Sequence, residues 1–137
     1  MIAYVDSSVL LRILLDQPGQ LEAWPRIETG VTSALAQVEC LRTLDRLRLE
    51  GALEDDELAE CRATVYRLTA EMSVVEVTAP ILDRAGQAFP TVLGTLDAIH
   101  LSTALAWREQ TESLELATHD RPLGMAARAM GFEVIGL

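Results

Sequence analysis

Apolar residues along the chain change period repeatedly, from alternating or continuous short runs to spacings of three and four, and each change marks an element. Ile2 to Val5 is short, apolar and partly β-branched, which reads as a strand. Asp6-Ser7-Ser8 follows it directly and offers N-cap oxygens to the apolar run Val9 to Leu15, a helix that Gln17-Pro18-Gly19 breaks. Leu21 to Glu28 reads as a short second helix ending at Gly30, and Val31-Thr32-Ser33 as a minimal strand. Leu35, Val38, Leu41, Leu44 and Leu47 then recur at helical spacing until Gly51, and Leu58, Val65 and Leu68 space a further helix from Asp55 to Met72.

The second half repeats the pattern. Val74 to Val77 is a strand; Thr78-Ala79-Pro80 opens a helix by the cap-then-proline rule, and Phe89-Pro90 closes it. After the loop Thr91 to Gly94, an alanine-rich helix runs from Thr95 to about Gln110. Leu114 to Thr118 is a strand, His119-Asp120-Arg121-Pro122 turns into the helix Leu123 to Met130, and Phe132 to Ile135 is the last strand. Five strands alternating with helices predict an α/β fold: a mainly parallel sheet with helices on both faces, joined by right-handed crossovers. No repeat or linker interrupts the 137 residues, so one domain over residues 1–137 is expected, long enough to bury a core without disulfides or a structural metal.

Composition narrows the chemistry. Eleven cationic side chains stand against 21 acids, a net charge of -10, and all eleven are arginine. With no lysine there is no P-loop lysine, Schiff-base lysine or lysine base. The same absence disfavours receiver domains and haloacid-dehalogenase phosphatases, which also place an Asp after a first strand; the latter further need an Asp where Ser8 stands. The net charge argues against a broad basic nucleic-acid-binding face. Cys40 and Cys61 have no metal-binding or redox spacing and read as small buried hydrophobes in a reducing compartment. The start lacks the basic region of a signal peptide, and no apolar run approaches the roughly 20 residues of a membrane helix, so a cytoplasmic protein without a membrane partner is expected.

In an open parallel sheet, ligands sit beyond the carboxyl ends of the strands. Asp6 follows the first strand, Asp120 follows the fourth, and Glu39 and Asp97 lie about one turn into helices that start at that edge. Each has an ordinary explanation: Asp6 as an N-cap, Asp97 as a first-turn acid favoured by the helix dipole, Asp120 as a turn residue. Glu39 resists one, because Leu35, Ala36 and Thr43 make its helix face uncharged. Together the four predict one acidic site. Carboxylates so clustered need protons or cations, and an all-oxygen donor set suits Mg²⁺ or Mn²⁺ and phosphodiester hydrolysis.

Tyr4-Val5-Asp6-Ser7-Ser8, Val38-Glu39-Cys40, Leu96-Asp97-Ala98-Ile99-His100-Leu101-Ser102-Thr103-Ala104 and Thr118-His119-Asp120 resemble, in order and spacing, the four acidic motifs of PIN-domain ribonucleases, above all the VapC toxins of toxin-antitoxin modules. The resemblance covers essentially the whole chain and implies a PIN-like three-layer α/β/α fold. It implies that Asp6, Glu39, Asp97 and Asp120 hold Mg²⁺ or Mn²⁺ for endonucleolytic cleavage of RNA, Asp6 and Asp97 as direct ligands, Glu39 and Asp120 directly or through water. Ser8 and Thr118 stand where the family keeps hydroxyls that position a carboxylate, a water or a phosphate. A homodimer and a cognate VapB-like antitoxin, its C-terminal segment across the active site, are further implied; the alternative is a non-catalytic PIN-like module that binds protein or RNA. Bound cations would turn the acidic pocket into an attractor of phosphate, and the remaining acidity anticipates a basic antitoxin segment.

Other residues receive plainer readings. His100 reads as a satisfied core histidine, Trp24 and Trp107 as packing or interface residues, and His119 as a neighbour of Asp120 that could contact RNA, the plainer account being that it does not. Arg12, inside an apolar run, could reach the acidic edge as a counter-ion or phosphate contact; a buried stem with its head in solvent is the simpler account.

Overall fold

The computed structural model describes residues 1–137. Its elements are β1 (Ile2–Val5), α1 (Ser7–Leu14), a single 3₁₀ turn (Trp24–Arg26), β2 (Thr29–Ser33), α2 (Ala34–Leu49), α3 (Asp55–Ala70), β3 (Ser73–Val75), α4 (Ala79–Ala85), α5 (Thr95–Arg108), β4 (Glu115–Ala117), α6 (Arg121–Ala129) and β5 (Val134–Ile135). The five strands form one sheet in the order β3-β2-β1-β4-β5, and every neighbouring pair is parallel.

Period-2 alternation in β1 divides the core. Ala3 and Val5 face one side, where they pack with Val9, Leu10 and Leu14 of α1, Ala36, Cys40 and Leu44 of α2 and Val65 of α3. Tyr4 faces the other side with Leu101 and Ala104 of α5 and Leu123, Ala126 and Ala127 of α6, joined by Val31 and Leu116. Central β1 is therefore apolar on both faces, as a buried parallel strand must be. Helix α4 packs against α5. Cys40 is fully buried and Cys61 only partly, both free thiols. Trp24 and Trp107 pack, partly buried, against opposite core clusters, in keeping with the packing role expected of them.

The expected short helix at Leu21 to Glu28 is not formed. Only the 3₁₀ turn appears, because Pro25 lacks the N–H that would extend it and too few residues remain to offset helix nucleation. Helix α4 stops at the Gly86 C-cap rather than running to Phe89. Strand β3 covers Ser73 to Val75 and β5 only Val134 and Ile135, since each edge strand has a ladder partner on one side only. No helix is long and apolar enough to cross a membrane.

The topology fixes where ligands can sit. From β1 the chain moves outward through β2 to β3, then crosses back to add β4 and β5 on the far side of β1. The switch point is thus the carboxyl end of the β1–β4 pair, where the backbone N–H of Asp6 donates to the Ala117 carbonyl at 3.0 Å.

Candidate active site

Asp6 and Thr118 are the residues that directly follow β1 and β4, so parallel pairing sets them side by side at this switch point. Asp6 is the N-cap of α1 and Asp120 the N-cap of α6. Capping and membership of an acidic site are therefore compatible: one oxygen can accept from a helix N–H while the other remains available.

Asp6 is 3% exposed, and Ser8 and Thr118 hold it. Its Oδ2 accepts from the Ser8 hydroxyl at 2.6 Å, the Thr118 hydroxyl at 2.9 Å and the Ser8 backbone N–H at 3.3 Å. Its Oδ1 accepts only a long contact from the Ser7 hydroxyl, 3.4 Å. Both hydroxyls are occupied in turn: the Ser8 Oγ accepts from the His119 N–H and the Thr118 Oγ1 from the Asp120 N–H, each at 2.9 Å. The α1 start and the β4–α6 turn are thereby stitched together. Gly136 tightens the same turn. Its φ of +101° suits glycine, a Cβ there would stand 2.7 Å from the Thr118 carbonyl, and its own carbonyl accepts from His119 Nδ1 at 2.6 Å.

Glu39 projects from α2 with its side chain 21% exposed, and its Oε1 is hydrogen-bonded to His100 Nε2 of α5. His100 is fully buried; its Nδ1 pairs with the Tyr4 hydroxyl at 2.7 Å, and its Nε2 lies 3.6 Å from Asp6 Oδ1. With the tyrosine O–H donating to Nδ1, the ring presents Nε2–H to the carboxylates. Burial alone would lower the His100 pKa, but the Glu39 hydrogen bond and the charges of Asp6, Glu39 and Asp97 outweigh it and raise it. Burial and the Asp6 charge also raise the pKa of Tyr4, which keeps it a donor.

Asp97, in the first turn of α5, is the acid that senses the other three. Burial, repulsion from Asp120 and Asp6 and, more weakly, from Glu39 push its carboxyl up to about 6, against the opposing pull of His100. The four sequence-predicted acids thus share one electrostatic environment at one sheet edge. No three His, Cys, Asp or Glu side chains stand close enough together to form a ready-made cation cage. The donor set nevertheless fits a hard divalent cation: carboxylate oxygens whose mutual repulsion a cation would relieve, with one Asp6 oxygen unclaimed by any short hydrogen bond. Arg12 forms no ion pair with these acids, and its Nη1 donates instead to the Gly19 carbonyl at 2.8 Å.

His100 is buried and hydrogen-bonded, as a core histidine should be, but its partner is a site acid, a connection missed from sequence. A local signal existed. His100 lies three residues after Asp97, and residues so spaced share a helix face. A helix that turns Asp97 toward the acids must bring His100 with it.

A family model described as PIN domain matches residues 3–128. Ribonuclease VapC46 of Mycobacterium tuberculosis is 33% identical over 135 residues, which cover 96% of this chain and 95% of the relative. Ribonuclease VapC47 of the same organism is 29% identical over 136 residues, 94% and 92% of the two chains. Among solved structures, a chain of a toxin-antitoxin complex from Klebsiella pneumoniae superposes with a TM-score of 0.62 at 16% identity, covering 97% of this chain and 95% of that one, a likeness of fold.

Proposed function

The chain belongs to the PIN-domain family and resembles its VapC members, and from that premise we propose that it is a metal-dependent endoribonuclease, the toxin of a toxin-antitoxin pair. The observation that carries the reading is the gathering of Asp6, Glu39, Asp97 and Asp120 at the switch point, Asp97 sensing the charges of the other three. In this reading all of residues 1–137 serve one PIN-like domain.

Asp6 and Asp97 would hold Mg²⁺ or Mn²⁺ directly, Glu39 and Asp120 directly or through water. When bound, such an ion lowers the pKa of a water to make a nucleophile and offsets charge on the scissile phosphate. The chain's own residues supply position. Ser8 and Thr118 fix Asp6 by two hydroxyl bonds to one oxygen, so the other keeps a constant direction. His100, itself oriented by Tyr4, fixes Glu39, which would otherwise sample several rotamers. Preorganisation of this kind lowers the reorganisation needed when charge develops on the phosphate.

The partners follow from the same reading. Single-stranded regions of RNA are the substrate, a VapB-like antitoxin the inhibitor and a second copy the homodimer partner. Val38 and Leu96 are 54% and 48% exposed and adjoin Glu39 and Asp97 in sequence, apolar surface that favours a protein partner on these helices. The test is purified protein with RNA, with EDTA or with Mn²⁺. Cleavage only with Mn²⁺, abolished in Asp6→Ala, is expected; intact RNA under both conditions would sink the proposal.

A further inference from the structure

Beside the β4–α6 turn lies a cavity of about 280 Å³, lined by Arg12, His119, Arg121, Met125, Arg128, Gly136 and Leu137. Three of the chain's eleven arginines surround it, although acids outnumber arginines almost twofold overall. None of the three forms an ion pair, whereas Arg42 and Arg48 both pair with Asp45. Arg121 and Arg128 are exposed and have no hydrogen-bond partner, and Arg12 spends one nitrogen on Gly19. His119 forms part of the wall; its Nδ1 bonds the Gly136 carbonyl and its buried Nε2 has no partner. The wall is firmly built, because Leu137 packs so closely on α6 that a Cβ at Gly124 would lie 2.5 Å from it.

Unpaired guanidinium groups that line one cavity select a planar or tetrahedral oxyanion. Charges beyond roughly 8 Å are largely screened at physiological salt, so the net charge of -10 does not cancel this local positive potential. His119 joins the cavity to the catalytic edge: it lines the one, its backbone N–H is held by Ser8, and the next residue is Asp120 of the other. We infer that the Arg12–Arg121–Arg128 cavity is a phosphate subsite, holding the backbone of single-stranded RNA next to the phosphodiester that lies at the carboxylates. The RNA occupant rests on the nuclease reading above; the oxyanion preference does not. A basic antitoxin segment is disfavoured here, since three free arginines repel it.

The experiment measures anisotropy of a fluorescent single-stranded 20-nucleotide RNA, in EDTA, across a series of KCl concentrations. Arg121→Gln/Arg128→Gln should bind about 10-fold more weakly at low salt and reduce the slope of log K against log[KCl] by about 1.4, at about 0.7 per phosphate contact. Arg121→Lys/Arg128→Lys should restore most of that slope, a control that also stands in if the glutamine pair fails to fold. Unchanged affinity and slope in the glutamine pair overturn the inference. So does a glutamate-rich peptide that displaces the RNA from wild-type protein as effectively as unlabelled RNA, which would assign the arginines to a protein carboxylate. Cleavage assays with Mn²⁺ separate the two readings. RNA left intact by a wild type whose salt slope still depends on the arginines removes the nuclease reading and keeps the subsite; equal KM for wild type and the glutamine pair removes the subsite and keeps the nuclease.

Discussion

The carboxylate pocket and the arginine cavity flank the same turn, Thr118 to Asp120, and are built on opposite principles. On the acidic side the buried groups are held by partners, Asp6 by two hydroxyls on one oxygen, Glu39 by His100 and His100 by Tyr4, while the other Asp6 oxygen is left without a short hydrogen bond. On the basic side Arg121 and Arg128 are exposed and uncommitted. Buried charge must be fixed by partners because solvent cannot stabilise it, whereas exposed charge can stay mobile and wait for a ligand. Substitutions in the pocket should therefore alter both stability and chemistry, and those in the cavity chiefly RNA affinity.

The largest expected effect breaks the pocket's chemistry without its fold. Asp97→Asn should lower RNA cleavage by about 10³-fold, the scale of losing a main electrostatic stabiliser, while RNA binding in EDTA is maintained. Loss of binding together with cleavage would merge the two regions into one. Next is His100→Ala, which opens a cavity and strips Glu39 and Tyr4 of their shared partner; a loss of about 3 kcal/mol in urea unfolding is expected, together with weaker Mn²⁺ binding by calorimetry. Thr118→Val keeps shape but removes the hydroxyl between Asp6 and the Asp120 N–H, at a cost of about 1–2 kcal/mol and a fall in kcat with KM little changed.

The smallest effect concerns pH. The Asp97 carboxyl is raised to about 6 when folded, against about 3.9 in an unfolded chain, so the folded state binds its proton more tightly. That contribution to stability is fully present below about pH 4 and lost as pH rises through about 6. His100, also raised, acts in the same sense at higher pH. Metal-free protein should thus melt higher near pH 5 than near pH 8. Asp97→Asn should flatten the part of that dependence near pH 6, and a wild type that melts lower at pH 5 would contradict the account.

Much of the site was legible because its signals are local. Asp6 and Asp120 follow strands and cap helices, and a strand, turn and helix span only a few residues. The Leu21 to Glu28 segment reads as a helix by sequence, but Pro25 confines it to a single 3₁₀ turn. Glu39 stood out as an acid on an uncharged face, yet its partner lies 61 residues away, which no local pattern encodes. The arginine cavity was equally hidden: Arg12 comes from the last turn of α1 and Arg121 and Arg128 from the two ends of α6, and only the β1–β4 pairing brings those two helices side by side.

The amino-acid order by itself determined the alternation of strands and helices, the parallel sheet and the four acids at its carboxyl edge, because periodicity, caps and breakers act over one or two turns. Only the tertiary structure decided that His100 serves Glu39, that Ser8 and Thr118 converge on one oxygen of Asp6, and that three arginines are left without acids. Those outcomes depend on the strand order β3-β2-β1-β4-β5, which sets residues distant in sequence at hydrogen-bonding distance and leaves others with none.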